Sequence, residues 1–430
     1  VGSEMCIRDR IYYRDVCMFF KILFITLFGI KIISKVLLDK MNYNYLKENG
    51  GNVPKELKHI VNKAKLEKID NYNSVKMLFG IFNFLYETAI VMLFLFTPIF
   101  IYYVNWVDSF QFVYSLKGLL FFLIPIIFGM ILSLPFDYYF HFKIEKSFDF
   151  NKYTIGGWLI DNAKSAFLII AISSIILVPL FLFVGNSFIF SWRFILISWL
   201  VASALIFIFT YLAPVIFIPL FYKLKPLEDE ILKDKVENLV KKSGFKVRGV
   251  FIANESRKST HGNAMFTGIG NSKKVILFDT LLNNHSDDEI LAIVGHEIGH
   301  GIKKHGLIFY IFTIFILFVF LVVVSLLLSN GNIYNSMGID RIFYVGLFII
   351  YYMFFYVLMY FIEPLMYKFA RRFEYQADAY SKKIMGTGKP LISSFEKFIT
   401  DDLSVINPHP LYESLHYSHP SLIKRIRALM

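Results

Sequence analysis

Cysteine and charged residues are scarce in this sequence. Only two of the 430 residues are cysteine, Cys6 and Cys17, both near the N-terminus, which excludes a disulfide framework and a cysteine-based metal site. Charged residues make up 18% of the chain, against about 25% in an average soluble domain. Hydrophobic residues make up 56%, and the mean hydropathy is +0.54. The composition therefore predicts an integral membrane protein that lies in a lipid bilayer.

A basic surface for nucleic acid is also absent from the sequence, although the net charge is +12. Lys and Arg form no stripe interleaved with stacking aromatic residues, which a nucleic-acid surface would need. In membrane proteins, excess positive charge is typical of the cytoplasmic loops. We therefore expect no nucleic-acid partner.

Seven apolar stretches reach the length of about 20 residues that a helix needs to cross a bilayer. They lie at 16–37, 77–104, 118–137, 164–185, 190–221, 306–328 and 342–367. Lysines interrupt the first stretch, and Pro214 and Pro219 predict a kink in the fifth. The sequence thus predicts an α-helical polytopic membrane protein with about seven transmembrane helices.

These stretches divide the chain into five parts. Residues 1–10 have neither a signal-peptide pattern nor a helical period, and we interpret them as a non-native artefact, which leaves the true N-terminus and the completeness of the first helix open. The remaining parts are the N-terminal membrane region (11–221), a polar unit (222–305), a hairpin of two spans (306–367) and a C-terminal segment (368–430).

The loops between the spans sort by charge. One set carries many cations: Lys55, Lys58, Lys63, Lys65, Lys68, Lys143, Lys146, Lys152, Lys223, Lys225, Lys303, Lys304, Lys368, Arg371 and Arg372. The opposite set carries only Lys117, Arg193 and Arg341. By the positive-inside rule the first set is cytoplasmic. The pattern predicts a multi-pass protein with its polar unit on the cytoplasmic side, either of a bacterial inner membrane or of the endoplasmic reticulum in a eukaryote.

The polar unit has the pattern of a small α+β fold. Leu227, Ile231, Val236 and Leu239 recur in a charged setting, as in an amphipathic helix. Short β-prone runs follow near 247–252, 264–269 and 275–278, separated by Gly, Asn and Ser. A second helix begins after Ser286, which forms a capping-box pattern with Glu289.

This second helix contains the sequence His296-Glu297-Ile298-Gly299-His300. Residues four apart share a helix face, so both imidazoles can bind one metal ion, and Glu297 lies beside them as a general base. The alternative without a metal is a pair of surface histidines on a polar helix. The motif favours a catalytic zinc site, with one Zn²⁺ per chain.

A catalytic zinc needs a third protein ligand, and Glu374 is the candidate. The histidine helix runs directly into the sixth span, and Glu374 follows the seventh, so the hairpin brings both segments to the same side of the membrane. At 1.5 Å per residue, His300 and Glu374 each lie about 10 Å beyond their spans. Asp378 shares the helix face of Glu374 and can accept a hydrogen bond from a ligating imidazole. The alternative for both carboxylates is a solvated acidic face paired with arginines.

Several sequence blocks together resemble the type I CAAX prenyl endopeptidases, a family of membrane-embedded gluzincin zinc metalloproteases. They are His-Glu-Ile-Gly-His at 296–300, Phe-Glu-Tyr-Gln-Ala-Asp-Ala-Tyr at 373–380, Tyr-Ser-His-Pro-Ser at 417–421, Ser-Thr-His-Gly-Asn-Ala at 259–264 and the run 142–154. The similarity extends over nearly the whole chain from about residue 40. The order of the blocks agrees as well.

The resemblance implies more than the spacing does. It implies seven transmembrane helices around a large chamber, with Glu374 as third zinc ligand and Asp378 as its partner. It further implies that His419 and Arg425 stabilise the oxyanion, and that Asn263 and Ala264 lie on an edge strand that pairs with the substrate. The expected substrate is a prenylated C-terminal CAAX peptide or another membrane-associated polypeptide. The expected reaction is metal-assisted peptide hydrolysis.

Three other readings stay open. A quality-control metalloprotease would have the same site without prenyl specificity. An intramembrane site-two-type protease needs an Asp ligand in a Leu-Asp-Gly context, which this sequence lacks. A transporter or channel with a structural zinc would close its site with a fourth protein ligand.

Overall fold

The computed structural model describes residues 2–49, 52–185, 191–212, 216–245, 247–267, 273–330 and 342–430, together with Tyr334. The described part of the chain is mostly helical and contains one small sheet. Pro214, which was expected to kink the fifth span, lies outside the described residues.

The N-terminal half consists of long helices. They are α1 (Gly2–Asn49), α2 (Lys63–Phe96), α3 (Pro98–Asp108), α4 (Tyr114–Tyr139), α5 (Ile155–Val184), α6 (Trp192–Leu212) and the short α7 (Ile218–Phe221). A π-helical stretch, Phe140–Glu145, extends α4. Thr97 separates α2 from α3, because its side chain caps α3 and Pro98 follows it. The predicted span at 77–104 is therefore two helices.

Within the described part of the chain, five helices are long and apolar enough to cross a bilayer: Lys63–Phe96, Tyr114–Glu145, Ile155–Val184, Trp192–Thr210 and His305–Ser329. Many of their large apolar side chains are exposed, as lipid-facing residues are. The predicted first span lies inside α1, whose lysines reduce its hydropathy, and α1 extends back to Gly2 through the segment that lacks a helical period. The predicted seventh span is split by a π-helical stretch, Tyr351–Phe355.

The polar region contains a four-stranded sheet in the order β1-β2-β4-β3. Its strands are β1 (Leu224–Pro226), β2 (Val250–Ala253), β3 (Ala264–Thr267) and β4 (Lys274–Phe278). Only the β2–β4 pair is parallel. The three predicted β-runs match β2, β3 and β4, whereas β1 has no signal in the sequence because it is three residues long and includes a proline. Among the described strands, β3 pairs only with β4 and is an edge strand.

Helix α8 (Glu230–Lys242) confirms the predicted amphipathic helix but corrects its apolar face. Leu232, Val236 and Leu239 are buried, whereas Ile231 is 70% exposed and Leu227 precedes the helix. Leu227, Val236 and Leu239 are thus buried as predicted, whereas Ile231 was the wrong position and the adjacent Leu232 is buried in its place.

The remaining helices complete the fold around the polar unit. They are α9 (Asp279–Asn284), α10 (Asp287–Ile302), α11 (His305–Asn330), α12 (Phe343–Ile350), α13 (Tyr356–Met385), α14 (Lys389–Asp401), α15 (Pro410–His416) and α16 (Leu422–Leu429). Buried side chains of α8, α10, α14, α16 and the sheet form one apolar core. Because α13 continues without interruption from the membrane-side helices into this core, it couples the two regions.

Candidate metal centre and active site

Helix α10 begins with the predicted capping box. The Ser286 hydroxyl accepts a hydrogen bond from the Glu289 amide, and the Glu289 carboxylate accepts one from the Ser286 amide at 2.7 Å. Glu289 also accepts from Lys397 at 2.6 Å. These contacts fix the start of the helix, and its phase then determines which way the histidines two to four turns later point.

Glycines allow α10 and α13 to approach closely. A Cβ atom at Gly299 would lie 2.9 Å from the Cα atom and 3.1 Å from the carbonyl oxygen of Ala377. The Ser381 hydroxyl, one turn along α13, donates to the Ala292 carbonyl at 2.6 Å. Gly299 is therefore the residue inside the histidine motif that permits Glu374 to lie against both imidazoles.

Possible ligand atoms of three residues converge between these helices, with each oxygen of Glu374 facing one imidazole; we call this group the donor triangle. His296 Nε2 lies 3.1 Å from His300 Nε2 and 3.4 Å from Glu374 Oε2, and His300 Nε2 lies 3.3 Å from Glu374 Oε1. A tetrahedral zinc with bonds of about 2.0–2.1 Å separates its ligand atoms by about 3.3–3.4 Å. The triangle therefore has the size that a zinc ion requires.

The chemistry of the donor set fits a cation as well. Glu374 Oε2 is buried and accepts no hydrogen bond, although Arg425 Nη1 lies 3.1 Å away. Burial alone would raise the pKa of Glu374, yet the two imidazoles beside it hold that pKa well below its usual range. Among the described residues, the group contains no fourth His, Cys, Asp or Glu.

Asp378 and Arg425 support this triangle from behind. Asp378 Oδ1 lies 2.8 Å from His296 Nδ1, and Arg425 donates to both Asp378 oxygens, at 2.8 and 2.6 Å. Burial alone would raise the pKa of Asp378, but the hydrogen bonds from Arg425 and His296 lower it. The bland alternative, an acidic face paired with Arg371 and Arg372, is not what this part of α13 forms. Arg371 instead donates to backbone carbonyls, including that of Tyr417 at 2.6 Å.

Glu297 lines a cleft of about 450 Å³ together with His296, Glu374, His419 and Arg425. Burial raises the pKa of its carboxyl group above the usual range, and the neighbouring imidazoles oppose that shift. A carboxylate with a raised pKa beside a metal site is suited to accept and return a proton near neutral pH.

His419 lies at the mouth of the site. Its Nε2 atom is 3.3 Å from Glu374 Oε1, and its side chain is 65% exposed. The neighbouring Ser418 hydroxyl lies 2.9 Å from His419 Nδ1. Although the side chain is largely exposed, partial desolvation of its ring in the cleft lowers the pKa of His419, and the Glu374 carboxylate opposes that shift. Because Arg371 holds the Tyr417 carbonyl, the loop that carries His419 is fixed to α13.

The predicted substrate-binding residues lie at the edge strand beside the cleft. Ala264 opens β3, and both Asn263 and Ala264 line the same cleft as Glu297. The Asn263 carbonyl accepts from the Phe278 amide at 3.1 Å, and its side-chain oxygen accepts from the Ala264 amide at 2.8 Å.

Two histidines without a predicted role contact these elements. His261 bridges Asp402 at 2.9 Å and Glu145, at the end of the α4 extension, at 3.3 Å. Burial alone would lower the pKa of His261, but the two carboxylates raise it to about 9. His305 lies 2.9 Å from His300. Neither contact has a sequence signal, because each partner lies on another element or beyond a helix break.

Comparison with known proteins gives consistent results along the chain. Residues 42–223 match the family described as CAAX prenyl protease N-terminal, five membrane helices, and residues 226–430 match Peptidase family M48. The chain is 34% identical over 416 residues to CAAX prenyl protease 1 of Saccharomyces cerevisiae, covering 90% of each protein. It is 28% identical over 431 residues to the human CAAX prenyl protease 1 homolog, covering 88% of each.

A solved structure is similar over the same length. The crystal structure of S. mikatae Ste24p superposes with a TM-score of 0.86 at 29% identity, covering 96% of this chain and 99% of that one. The similarity therefore includes both the membrane helices and the segment that carries the donor triangle. The chain is a multi-span membrane protein of the CAAX prenyl protease 1 family, with a Peptidase family M48 region at residues 226–430.

Proposed function

We propose that this protein is a zinc-dependent membrane endopeptidase that cleaves prenylated CAAX-type polypeptides near their C-terminus. The observation that carries the proposal is the triangle of His296, His300 and Glu374 with Glu297 beside it in one cleft. The names of the relatives, CAAX prenyl proteases from yeast to human, support the substrate class.

In this proposal His296, His300 and Glu374 would hold one zinc ion, which would polarise the scissile carbonyl and lower the pKa of water in the site. The Glu297 carboxylate accepts a proton from the attacking water as its oxygen bonds to the carbonyl carbon. Glu297 then delivers that proton to the amide nitrogen as the C–N bond breaks. Asp378 accepts a hydrogen bond from the Nδ1–H of His296 and keeps Nε2 directed at the donor triangle.

The oxyanion is stabilised by positive charge at the cleft. His419 is exposed and donates from Nε2, while Arg425 contributes its charge from beside Glu374. One such donor is typically worth about 2.7–4 kcal/mol of transition-state stabilisation. Asn263 and Ala264 align the substrate main chain along β3, because an extended peptide adds readily to a free strand edge.

The membrane arrangement is part of the same proposal. Seven helices, including α1 and the segment 342–367, surround a chamber, and an α+β unit carries the site on the cytoplasmic side. The cationic link Lys303–Lys304 and the pair Arg371–Arg372 favour that orientation. A prenylated protein with its lipid in the cytoplasmic leaflet then presents its C-terminus to the cleft. In a eukaryote this membrane is the endoplasmic reticulum.

The donor triangle argues against a transporter with a structural zinc, since the described group has three possible ligands and structural zinc sites have four.

Zinc content and peptidase activity of purified wild type and Glu297→Gln test the proposal, with a farnesylated CAAX peptide and its unprenylated form as substrates. We expect about one zinc per chain in both proteins and a loss of at least 10²-fold in kcat for Glu297→Gln.

The exposed Glu228 provides the matched control, and Glu228→Gln should leave kcat unchanged. Equal cleavage of both peptides would favour the quality-control protease without prenyl specificity. A wild type that binds no zinc, or a Glu297→Gln variant with full activity, would overturn the catalytic proposal.

A further inference from the structure

His305 is a buried histidine at the first position of α11. Its side chain is enclosed, with 2% of the residue exposed. Its ring stacks on Phe373 with centroids 4.1 Å apart and planes within 9°. His305 Nδ1 lies 2.9 Å from His300 Nδ1, and His305 Nε2 lies 3.0 Å from Gln376 Oε1. Both nitrogens therefore have one partner each.

We propose that His305 is a positioning residue that holds the His300 ring through a one-directional hydrogen-bond relay ending at Gln376. This inference rests on the proposed metal site. It gives His300 the support that Asp378 gives to His296.

The direction of the relay follows from the role of each nitrogen. His300 Nε2 faces the donor triangle, so a neutral His300 that binds a metal there carries its proton on Nδ1. That proton can be donated only to an unprotonated His305 Nδ1. His305 consequently carries its own proton on Nε2 and donates it to the Gln376 carbonyl oxygen. Along this relay, each N–H donor then faces an acceptor: His300 Nδ1–H faces His305 Nδ1, and His305 Nε2–H faces Gln376 Oε1.

The contact depends on the break between α10 and α11. On an uninterrupted helix, residues five apart lie about 140° apart around the axis and do not meet. Lys304 adopts a positive φ of 55°, which ends α10 and turns the chain so that His305 folds back against His300. Phe373 precedes Glu374 and Gln376 follows it by two residues, so α13 holds both the third ligand and the far end of the relay.

Asp378 and His305, which contact the two imidazoles on the side away from the donor triangle, add no net charge to the site. Asp378 is negative but bonded to Arg425, and His305 in the assigned tautomer is neutral. Neither imidazole ligand therefore gains negative charge from its partner. Glu374 is the anionic member of the donor triangle, and Arg425 Nη1 lies 3.1 Å from it, so a bound zinc ion would retain its Lewis acidity.

Two substitutions of His305 distinguish the effect of its hydrogen bond to His300 from the effect of its ring stacking on Phe373. His305→Phe keeps the ring that stacks on Phe373 but removes the acceptor. His305→Asn loses the ring but can present a side-chain oxygen close to the place of Nδ1. The full-length detergent-purified variants are titrated with zinc against a competing chelator, and kcat and KM are measured on the farnesylated peptide.

We expect His305→Phe to weaken zinc affinity 10–100-fold and to lower kcat with little change in KM. His305→Asn should recover at least half of that loss on a logarithmic scale. Gln376→Leu should have a smaller effect in the same direction, since it removes only the last acceptor. His285→Phe serves as the control, because His285 is a half-buried histidine whose two nitrogens have no hydrogen-bond partner, and it should leave zinc affinity unchanged.

The proposal is overturned if His305→Phe binds zinc as tightly as wild type, or if His305→Asn is as weak as His305→Phe. If His305→Phe fails to fold, the zinc affinities of His305→Asn and Gln376→Leu are compared with that of wild type. Affinities equal to wild type in both variants would overturn the proposal. A wild type without zinc affinity refutes the proposed function instead, so the two failures are distinguishable.

Discussion

The coupling between Arg425 and Asp378 gives a quantitative test of how the site is held together. Both side chains are enclosed, with 7% and 2% exposed, and two nitrogens of the guanidinium donate to the two carboxylate oxygens at 2.8 and 2.6 Å. The same guanidinium lies 3.1 Å from Glu374. Arg425→Met therefore leaves two buried carboxylates without their cation.

Removing one partner of a buried ion pair typically costs about 3–5 kcal/mol of unfolding free energy. We expect Arg425→Met to reach this range, because Coulomb attraction at about 4 Å is about 4 kcal/mol at an effective dielectric constant of 20. Asp378→Asn should cost less, since Arg425 retains Glu374. The double variant should cost about 0.5–3 kcal/mol less than the sum of the single variants, because the second change removes a charge that the first left unpaired.

The assay is equilibrium unfolding in detergent of all four proteins, with a chelator present so that metal binding does not contribute to the difference. Parallel zinc titrations report whether the loss of support also weakens the site. Single-variant effects that add to within about 0.5 kcal/mol would refute the reasoning, since they would mean that the two side chains stabilise the protein independently.

Two further outcomes follow from the packing and the charges. Gly299→Ala should lower both stability and zinc affinity, because its Cβ would meet the facing helix backbone at 2.9 Å; Gly80→Ala, with open space around it, is the control, and equal effects of the two would contradict the close-approach argument. The stabilising contribution of His261 should be fully present below about pH 6.5 and lost as pH rises through about 9, because Asp402 and Glu145 raise its folded pKa. Unfolding midpoints of wild type minus His261→Gln between pH 6 and 10 measure this, and a difference that does not change with pH would rule it out.

The lengths of the apolar runs predicted where the membrane helices lie better than where they end. The apolar runs at 118–137 and 306–328 lie within α4 and α11, because a run of that length can only be a helix in a bilayer. The run at 77–104 contains a helix break at Thr97 that was not predicted, because one N-cap residue does not change the apolar composition of the run. On α8 one position was assigned wrongly, because Ile231 and Leu232 are equally apolar and packing in the core selects Leu232.

Within the site, the sequence predicted the local relations. His296 and His300 share a face because helix geometry places residues four apart on one side, and the capping box fixes where that helix starts. The hairpin argument also predicted that Glu374 comes close to the histidine helix, and Glu374 Oε1 lies 3.3 Å from His300 Nε2. These inferences need only the period of a helix and the thickness of a membrane.

The tertiary structure decided what lies between distant elements. Arg425 bonds Asp378 from 47 residues away, and His261 joins Glu145 to Asp402 across three elements. His305 reaches His300 only because the chain turns at Lys304. Such contacts depend on the angle and separation of packed helices, which are set by the volumes of all the side chains between them and by the glycines that permit close approach. The amino-acid sequence by itself therefore determined the two candidate metal ligands of one helix, and packing determined the charges and hydrogen bonds that hold them in place.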